Sequence, residues 1–185
     1  MSKKISGEEI KPQLSREIKK MAEIDQRWRA KVTEYSKAGE KSAKINKIWL
    51  KIQAIDKKHT SRLKEIVAQY GWPTISLVGK EASNQAWLLV QHADHDLNFQ
   101  EKCLGLIKKA VQQQDVSPQN FAYLSDRIRV AKNLPQFFGT QFTREKNGNI
   151  LLFLIYRKKD VNIRRKRYKL EPLEKYIAKA KKALK

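Results

Sequence analysis

The sequence predicts a mainly α-helical protein with one β-hairpin in its C-terminal half. Apolar residues recur at spacings of three and four along most of the chain, which is the period of an amphipathic helix. The pattern changes after residue 135, where the segments 137–143 and 150–156 flank Lys146-Asn147-Gly148-Asn149. Because Asn-Gly favours a tight hairpin turn, four to six helices and a hairpin near residues 137–156 are expected.

The first helical stretch runs from Ile10 to Gln69. Its apolar stripe includes Leu14, Ile18, Met21, Ile24, Trp28, Ile45, Ile48, Ile52, Ile55 and Leu63. The segment 37–40 contains a glycine and indicates a loop or kink, since glycine inside a helix costs about 1 kcal/mol relative to alanine. Gly71-Trp72-Pro73 ends the stretch. Two antiparallel helices and one long broken helix both satisfy this pattern.

Further helices are predicted at 79–92 and 97–113, from Pro118 onward, and from Leu173 to the C-terminal lysines. Asp94 or Asp96 is expected to cap the helix at 97–113, because a carboxylate accepts hydrogen bonds from the free N–H groups of a first turn. Ser117-Pro118 has the favoured order of a cap residue followed by proline.

Positive charge is concentrated at the two ends of the chain. The net charge is +21, of which residues 1–70 carry +9, residues 157–185 carry +10 and the centre only +2. A chain of 185 residues with 41% apolar residues fits a single core. The predicted organisation is a basic helical N-terminal extension, residues 1–45, followed by one helical domain, residues 46–185.

Several classes of protein are disfavoured. No run of eighteen apolar residues is present, so no membrane span is expected. The first seven residues lack the apolar segment of a secretory signal, and a cytoplasmic location is expected. The single cysteine, Cys103, excludes an internal disulfide and a cysteine zinc site. No P-loop, dinucleotide fingerprint or Gly-x-Ser-x-Gly motif is found, and no cofactor is assigned.

Four distinctive sequence motifs occur in the centre of the chain. They are Tyr70-Gly71-Trp72-Pro73, Ala86-Trp87-Leu88-Leu89-Val90-Gln91-His92-Ala93-Asp94, Tyr123-Leu124-Ser125-Asp126-Arg127 and Pro135-Gln136-Phe137-Phe138-Gly139-Thr140-Gln141-Phe142. In these motifs the chain resembles a bacterial family catalogued as domain of unknown function 6624. The resemblance covers roughly residues 50 to 177. The resemblance implies no activity; it implies only which polar residues form the family's signature.

The first candidate site surrounds His92. A histidine beside carboxylates can act as a general base, and Asp94 is the candidate that would orient it. The alternative is structural: His92 would donate to a main-chain carbonyl at a buried helix end. The spacing of His92, His95 and the nearby carboxylates matches no known metal motif, so no metal site is predicted.

The second candidate site joins Asp126 and Arg127 to Gln136 and Gln141. An arginine fork with amides would grip a carboxylate or phosphate, whereas an Asp–Arg pair would merely hold the hairpin against the helices. The leading hypothesis is a small-ligand-binding or enzyme-like pocket at the helix–hairpin junction. It would be built from His92, Asp94, Gln100, Asp126, Arg127, Gln136 and Gln141, with His92 as acid or base and Arg127 as anion clamp.

The third candidate is the basic segment Arg157–Lys169. Its cations would bind an anionic ligand or the phosphates of a nucleic acid, or would simply form a solvated surface. Arg164 and Arg165 match the family's tail, so one of them is also a candidate to reach the pocket. Two alternative functions remain open: a basic nucleic-acid-binding module, and a protein-interaction or adaptor domain whose helical N-terminus binds an acidic partner.

Overall fold

The computed structural model describes residues 11–144 and 150–183, which form eight helices and one two-stranded antiparallel sheet. The elements are α1 (Pro12–Lys37), α2 (Ser42–Tyr70), α3 (Ile75–Val78), α4 (Lys80–Gln91), α5 (Leu97–Gln112), α6 (Pro118–Ala131), β1 (Phe142–Arg144), β2 (Ile150–Leu152), α7 (Val161–Arg167) and α8 (Leu173–Ala183). The predicted mainly helical fold with a sheet in the C-terminal half is confirmed. Backbone contacts group the chain into two compact units, one ending at Leu106 and one beginning at Ile107.

The first unit is built on α1, α2 and α4, which pack against one another. The N-terminal stretch forms two helices, because the chain turns at Gly39, whose φ of 65° is readily adopted by glycine. Side chains spaced by three and four residues on each helix supply the core: Leu14, Ile18, Met21 and Ala22 from α1, Ile52, Leu63 and Ile66 from α2, and Ala82, Ala86 and Val90 from α4. Helix α1 thus contributes directly to the core of this unit.

The helix ends follow the predicted signals. Gly71 ends α2 with a φ of 72°, a left-handed value that glycine tolerates. Asp96 caps α5, since its Oδ1 accepts a hydrogen bond from the Phe99 N–H at 3.0 Å. Two helices, α3 and α7, are too short to be recognised from an apolar period in the sequence.

Two titratable side chains of the first unit are buried, and burial favours the neutral form of each. The Cys103 thiol is fully buried on α5, and burial raises its pKa to about 12, so it packs as a core residue. His59 is buried on α2, where burial lowers its pKa and favours the neutral ring. Its Nδ1 has no hydrogen-bond partner within residues 11–144 and 150–183.

The second unit packs the sheet against α8. β1 and β2 pair in antiparallel register, with Phe142 opposite Leu152 and Arg144 opposite Ile150. The predicted turn, Lys146-Asn147-Gly148-Asn149, lies outside the described residues. The strands are shorter than predicted on the side away from this turn, because residues 136–140 follow an irregular path set by buried polar side chains. Gln136 still forms a single bridge to Ile155.

Gly139 shows how tightly this irregular path is packed. Its φ is 68°, and a Cβ at this position would lie 2.8 Å from Leu173 Cδ1 and 2.9 Å from Ile155 Cδ1. Those two side chains and Val161 form a buried apolar cluster. Only glycine satisfies both the backbone angle and the space.

Among the described helices, none combines the length and the apolar content that crossing a bilayer requires.

Candidate functional site

The central feature of the first unit is a hydrogen bond between His92 and Asp25. His92 Nδ1 lies 2.9 Å from Asp25 Oδ1, although the two residues are 67 positions apart in the sequence. Asp25 sits on the buried face of α1 and is 2% exposed, while His92 follows the last turn of α4. The carboxylate in contact with His92 Nδ1 is therefore Asp25, whereas the sequence suggested Asp94 as the partner of His92.

Asp25 stays ionised in this setting. Burial alone would raise its pKa, but the hydrogen bond with His92 and the charges of His92 and Arg29 outweigh burial and hold the pKa at about 2. An ionised carboxylate can only accept, so His92 Nδ1 is the donor of this hydrogen bond. When the ring is neutral, its other nitrogen, Nε2, carries the lone pair that can take a proton.

Arg29 connects Asp25 to a second carboxylate. Its Nε donates to Asp25 Oδ1 at 3.1 Å, and its Nη2 donates to both oxygens of Asp56 at 2.7 and 2.8 Å. Burial raises the pKa of Asp56 against the opposing effect of Arg29. The four side chains of Asp25, Arg29, Asp56 and His92 form one connected polar cluster, which we call the Asp25–His92 cluster.

Three members of the Asp25–His92 cluster, Arg29, Asp56 and His92, line a cavity of about 520 Å³. One wall consists of α2 side chains at helical spacing, namely Trp49, Ile52, Gln53, Asp56 and Lys57. Arg29 from α1 and the side chains of His92, Asp94 and His95 after α4 complete the lining. This volume lies within the range of small-molecule pockets, roughly 300–1,000 Å³.

The same residues include a potential set of metal ligands. Ligand atoms of Asp25, Asp56 and His92 all lie within 4.8 Å of one another. Both carboxylates of this set, however, already contact the Arg29 guanidinium. Arg29 thus supplies the positive charge that a bound cation would otherwise provide.

Asp94 and Gln100 hold the chain next to His92 in place. Gln100 is buried on α5, and its Nε2 lies 3.2 Å from Asp94 Oδ1. The same amide donates to the carbonyl of Val90 at 3.1 Å and to that of Gln91 at 3.3 Å. Gln100 therefore anchors the end of α4, from which His92 projects.

The other predicted site residues lie in the second unit, where Asp126 is fully buried. Its carboxylate accepts main-chain N–H groups of Phe137 at 2.7 Å, Phe138 at 3.1 Å and Thr140 at 3.0 Å, and the Thr140 hydroxyl at 3.0 Å. Burial raises the pKa of Asp126, whereas these donors lower it. Because all four contacts are donors, the arrangement fits an ionised carboxylate that shapes the 137–140 segment.

Gln136 has a similar architectural role. Its Nε2 donates to the carbonyls of Gln141 at 3.0 Å and Phe153 at 2.9 Å, and its Oε1 accepts the N–H of Gln141 at 2.9 Å. The Gln141 side chain in turn donates to Thr140 Oγ1 at 3.1 Å. These amides join the start of the hairpin to β2 and the residues that follow it.

The two adjacent arginines of α7 also bind the main chain. Arg164 donates to the carbonyl of Phe137 at 2.7 Å. Arg165 is fully buried and donates to the carbonyls of Glu171 and Phe138, each at 2.6 Å. Arg127 is half-buried on α6. The structure thus brings Asp126, Gln136 and Gln141 into one network with Thr140, and both arginines of α7 contact the same segment.

The seven predicted pocket residues are divided between the two units. His92, Asp94 and Gln100 belong to the first, and Asp126, Arg127, Gln136 and Gln141 to the second. Their union in one pocket stays a prediction. Sequence reasoning missed Asp25, Arg29 and Asp56; the available signal was an acid at a buried position of the α1 stripe with an arginine four residues later.

Comparison with known proteins gives one family. The model of the family of unknown function DUF6624 matches residues 12–185. No curated protein and no solved structure matches the chain. The matched region begins at the first residue of α1, so it includes Asp25 and Arg29 as well as the motifs in the centre of the sequence. The chain belongs to the family of unknown function DUF6624.

Proposed function

We propose that the first unit is an acid–base site for a small ligand, in which His92 exchanges a proton with the bound molecule and Asp25 orients His92. The observation that carries this proposal is the 2.9 Å hydrogen bond between a buried, ionised Asp25 and a histidine that lines an open cavity. A histidine whose tautomer is fixed by a carboxylate is a common arrangement for proton transfer.

The physical basis of the proposal is preorganisation. Asp25 fixes the ring of His92 through Nδ1, so Nε2 is the nitrogen that can accept a proton from a ligand. Asp25 also stabilises the charged ring that would then form, because the two charges attract strongly where water is scarce. Arg29 and Asp56 hold Asp25 in position, and Gln100 holds the end of α4.

The lining of the cavity indicates the chemical class of the ligand. Trp49 is 42% exposed and offers an apolar surface, and the buried Ile52 lies beside it in the lining. Lys57 supplies a cation on the same wall, and the net charge of +21 attracts anions to the molecule as a whole. The ligand that fits these features is a small molecule with a ring and an anionic group.

The site does not require the polar network of the second unit. Asp126 and Gln136 are engaged with main-chain groups there, and their expected effect is on folding. The proposal therefore keeps His92 as the acid or base of the sequence hypothesis and replaces Asp94 by Asp25 as its orienting partner.

Phenyl phosphate is a suitable probe because it combines a ring with an anion. We expect it to shift the Trp49 indole signal and the His92 ring signals in ¹H–¹⁵N spectra, with the Trp49 signal assigned through the Trp49→Phe variant. Lys57→Gln is expected to weaken binding about fivefold, the equivalent of about 1 kcal/mol. His92→Asn is expected to weaken it roughly tenfold or more.

Lys58→Gln is the matched control, since Lys58 is adjacent in sequence but does not line this cavity. Its affinity for phenyl phosphate is expected to equal that of the wild type. Unchanged Trp49 and His92 signals at saturating probe, or equal losses in the Lys57 and Lys58 variants, would contradict the proposed ligand class.

A further inference from the structure

Exposed apolar side chains are concentrated in one segment of the second unit. In the described part of the chain nine large apolar side chains are exposed, and five of them are Leu151, Phe153, Leu154, Tyr156 and Ile163. Leu154 is the most exposed, at 74%. Scattered exposed leucines are ordinary, but a concentration of this kind marks a surface that binds another molecule.

Basic side chains accompany this apolar segment. Residues 151–169 contain eight Lys and Arg residues and a single acidic residue, Asp160. Six of the basic residues are exposed, namely Arg157, Lys158, Lys159, Lys166, Arg167 and Lys169. The partner of this surface therefore carries negative charge as well as apolar groups.

The remaining arginines fix the geometry of the surface. Arg164 donates to the carbonyls of Tyr156 at 2.5 Å and Arg157 at 3.3 Å, which holds α7 beside the segment that follows β2. On α7, Ile163 lies three and four residues before Lys166 and Arg167, so these side chains share one exposed helix face. We call the exposed residues of 151–167 the basic apolar surface.

We propose that the basic apolar surface docks the protein on an anionic lipid bilayer. Leu151, Leu154 and Ile163 are aliphatic and cannot stack on nucleic-acid bases, so a nucleic acid would leave them in water. The acyl region of a bilayer would bury them, while the lysines and arginines would bind the acidic headgroups. The arginines whose guanidinium groups hold the main chain, Arg164 and Arg165, contribute structure to this surface.

This mode of binding is peripheral. Apolar side chains would enter the boundary between headgroups and acyl chains, and the long basic side chains would extend along them to the phosphates. Affinity then depends on both parts, because an apolar contact and a cluster of positive charges each supply only part of the binding free energy.

Vesicle flotation tests this proposal with the full chain. We expect the protein to float with phosphatidylcholine vesicles that contain phosphatidylglycerol and to remain unbound with phosphatidylcholine alone. Leu154→Ser is expected to lower the partition coefficient by about tenfold. Leu50→Ser is the matched control, because Leu50 is 65% exposed on α2, and this variant is expected to bind like the wild type.

The charge contribution needs its own control because the whole chain is basic. Lys158→Glu with Lys159→Glu is expected to lower the partition coefficient by tenfold or more. Lys108→Glu with Lys109→Glu makes the same charge change on exposed residues of α5 and is expected to have a much smaller effect.

Three results would overturn the proposal. The first is flotation that is equally sensitive to both lysine pairs and insensitive to Leu154→Ser. The second is binding to duplex DNA that the Lys158 and Lys159 changes abolish while flotation is unaltered. The third is a concentration-dependent dimer that Leu154→Ser dissociates, which would show that a second copy of the chain covers this surface.

Discussion

Replacing Asp126 with alanine is expected to lower the free energy of unfolding by about 3–5 kcal/mol. The carboxylate accepts three main-chain N–H groups and the Thr140 hydroxyl in a fully buried position. Alanine would leave these donors without partners and without water. Urea denaturation followed by circular dichroism measures the loss, and faster amide hydrogen exchange at Phe138 and Thr140 would localise it.

Two further substitutions serve as comparisons for Asp126→Ala. Asp126→Asn keeps the shape but places an N–H₂ group opposite main-chain donors, so a loss of about 2 kcal/mol is expected. Asp160→Ala removes a carboxylate that makes no capping hydrogen bond, and a change within about 0.5 kcal/mol is expected. A loss below about 1 kcal/mol for Asp126→Ala would mean that the 137–140 segment is held mainly by its apolar contacts.

Replacing Arg29 with alanine is expected to destabilise the first unit by about 2–4 kcal/mol and to create a zinc site. Without Arg29, Asp25 and Asp56 lose their shared cation and repel each other. Ligand atoms of these two carboxylates and His92 lie within 4.8 Å of one another. Zinc at a hundredfold excess over its dissociation constant would restore about 2.7 kcal/mol, measured as a rise in Tm.

Arg62→Ala is the matched control for the Arg29 variant. Arg62 pairs with Glu17 and Glu65 on the surface, where ion pairs contribute little, so a loss below about 1 kcal/mol and no specific response to zinc are expected. An equal zinc-induced rise in Tm for the wild type would contradict the account, because it would show that the cluster binds metal with Arg29 in place.

Local features of the fold were predictable from the sequence. Helical apolar periods, Gly71 at the end of α2 and Asp96 at the start of α5 depend on residues a few positions apart, and the structure confirms them. The strand lengths were not predictable. They depend on main-chain N–H groups that donate to Asp126 instead of to a neighbouring strand. The hydrogen-bond partners of main-chain groups cannot be identified from a sequence.

The candidate site was predictable only in part. His92 was recognised because carboxylates follow it in the chain, and the same proximity favoured Asp94 as its partner. Its hydrogen-bonding partner, Asp25, is 67 residues away on α1, and only the packing of α1 against α4 brings the two together. A single sequence gives the type of each side chain but not the distance between helices.

We expect Asp25 to fix His92 with Nδ1 protonated and Nε2 available, and the ring nitrogens report this directly. A long-range ¹H–¹⁵N spectrum of the wild type, recorded at a pH where the ring is neutral, is expected to show the Nδ1–H tautomer for His92. Asp25→Ala is expected to shift the ring toward the Nε2–H tautomer. A wild-type His92 found in the Nε2–H tautomer would contradict the account, because Asp25 would then not be orienting the nitrogen proposed to exchange protons.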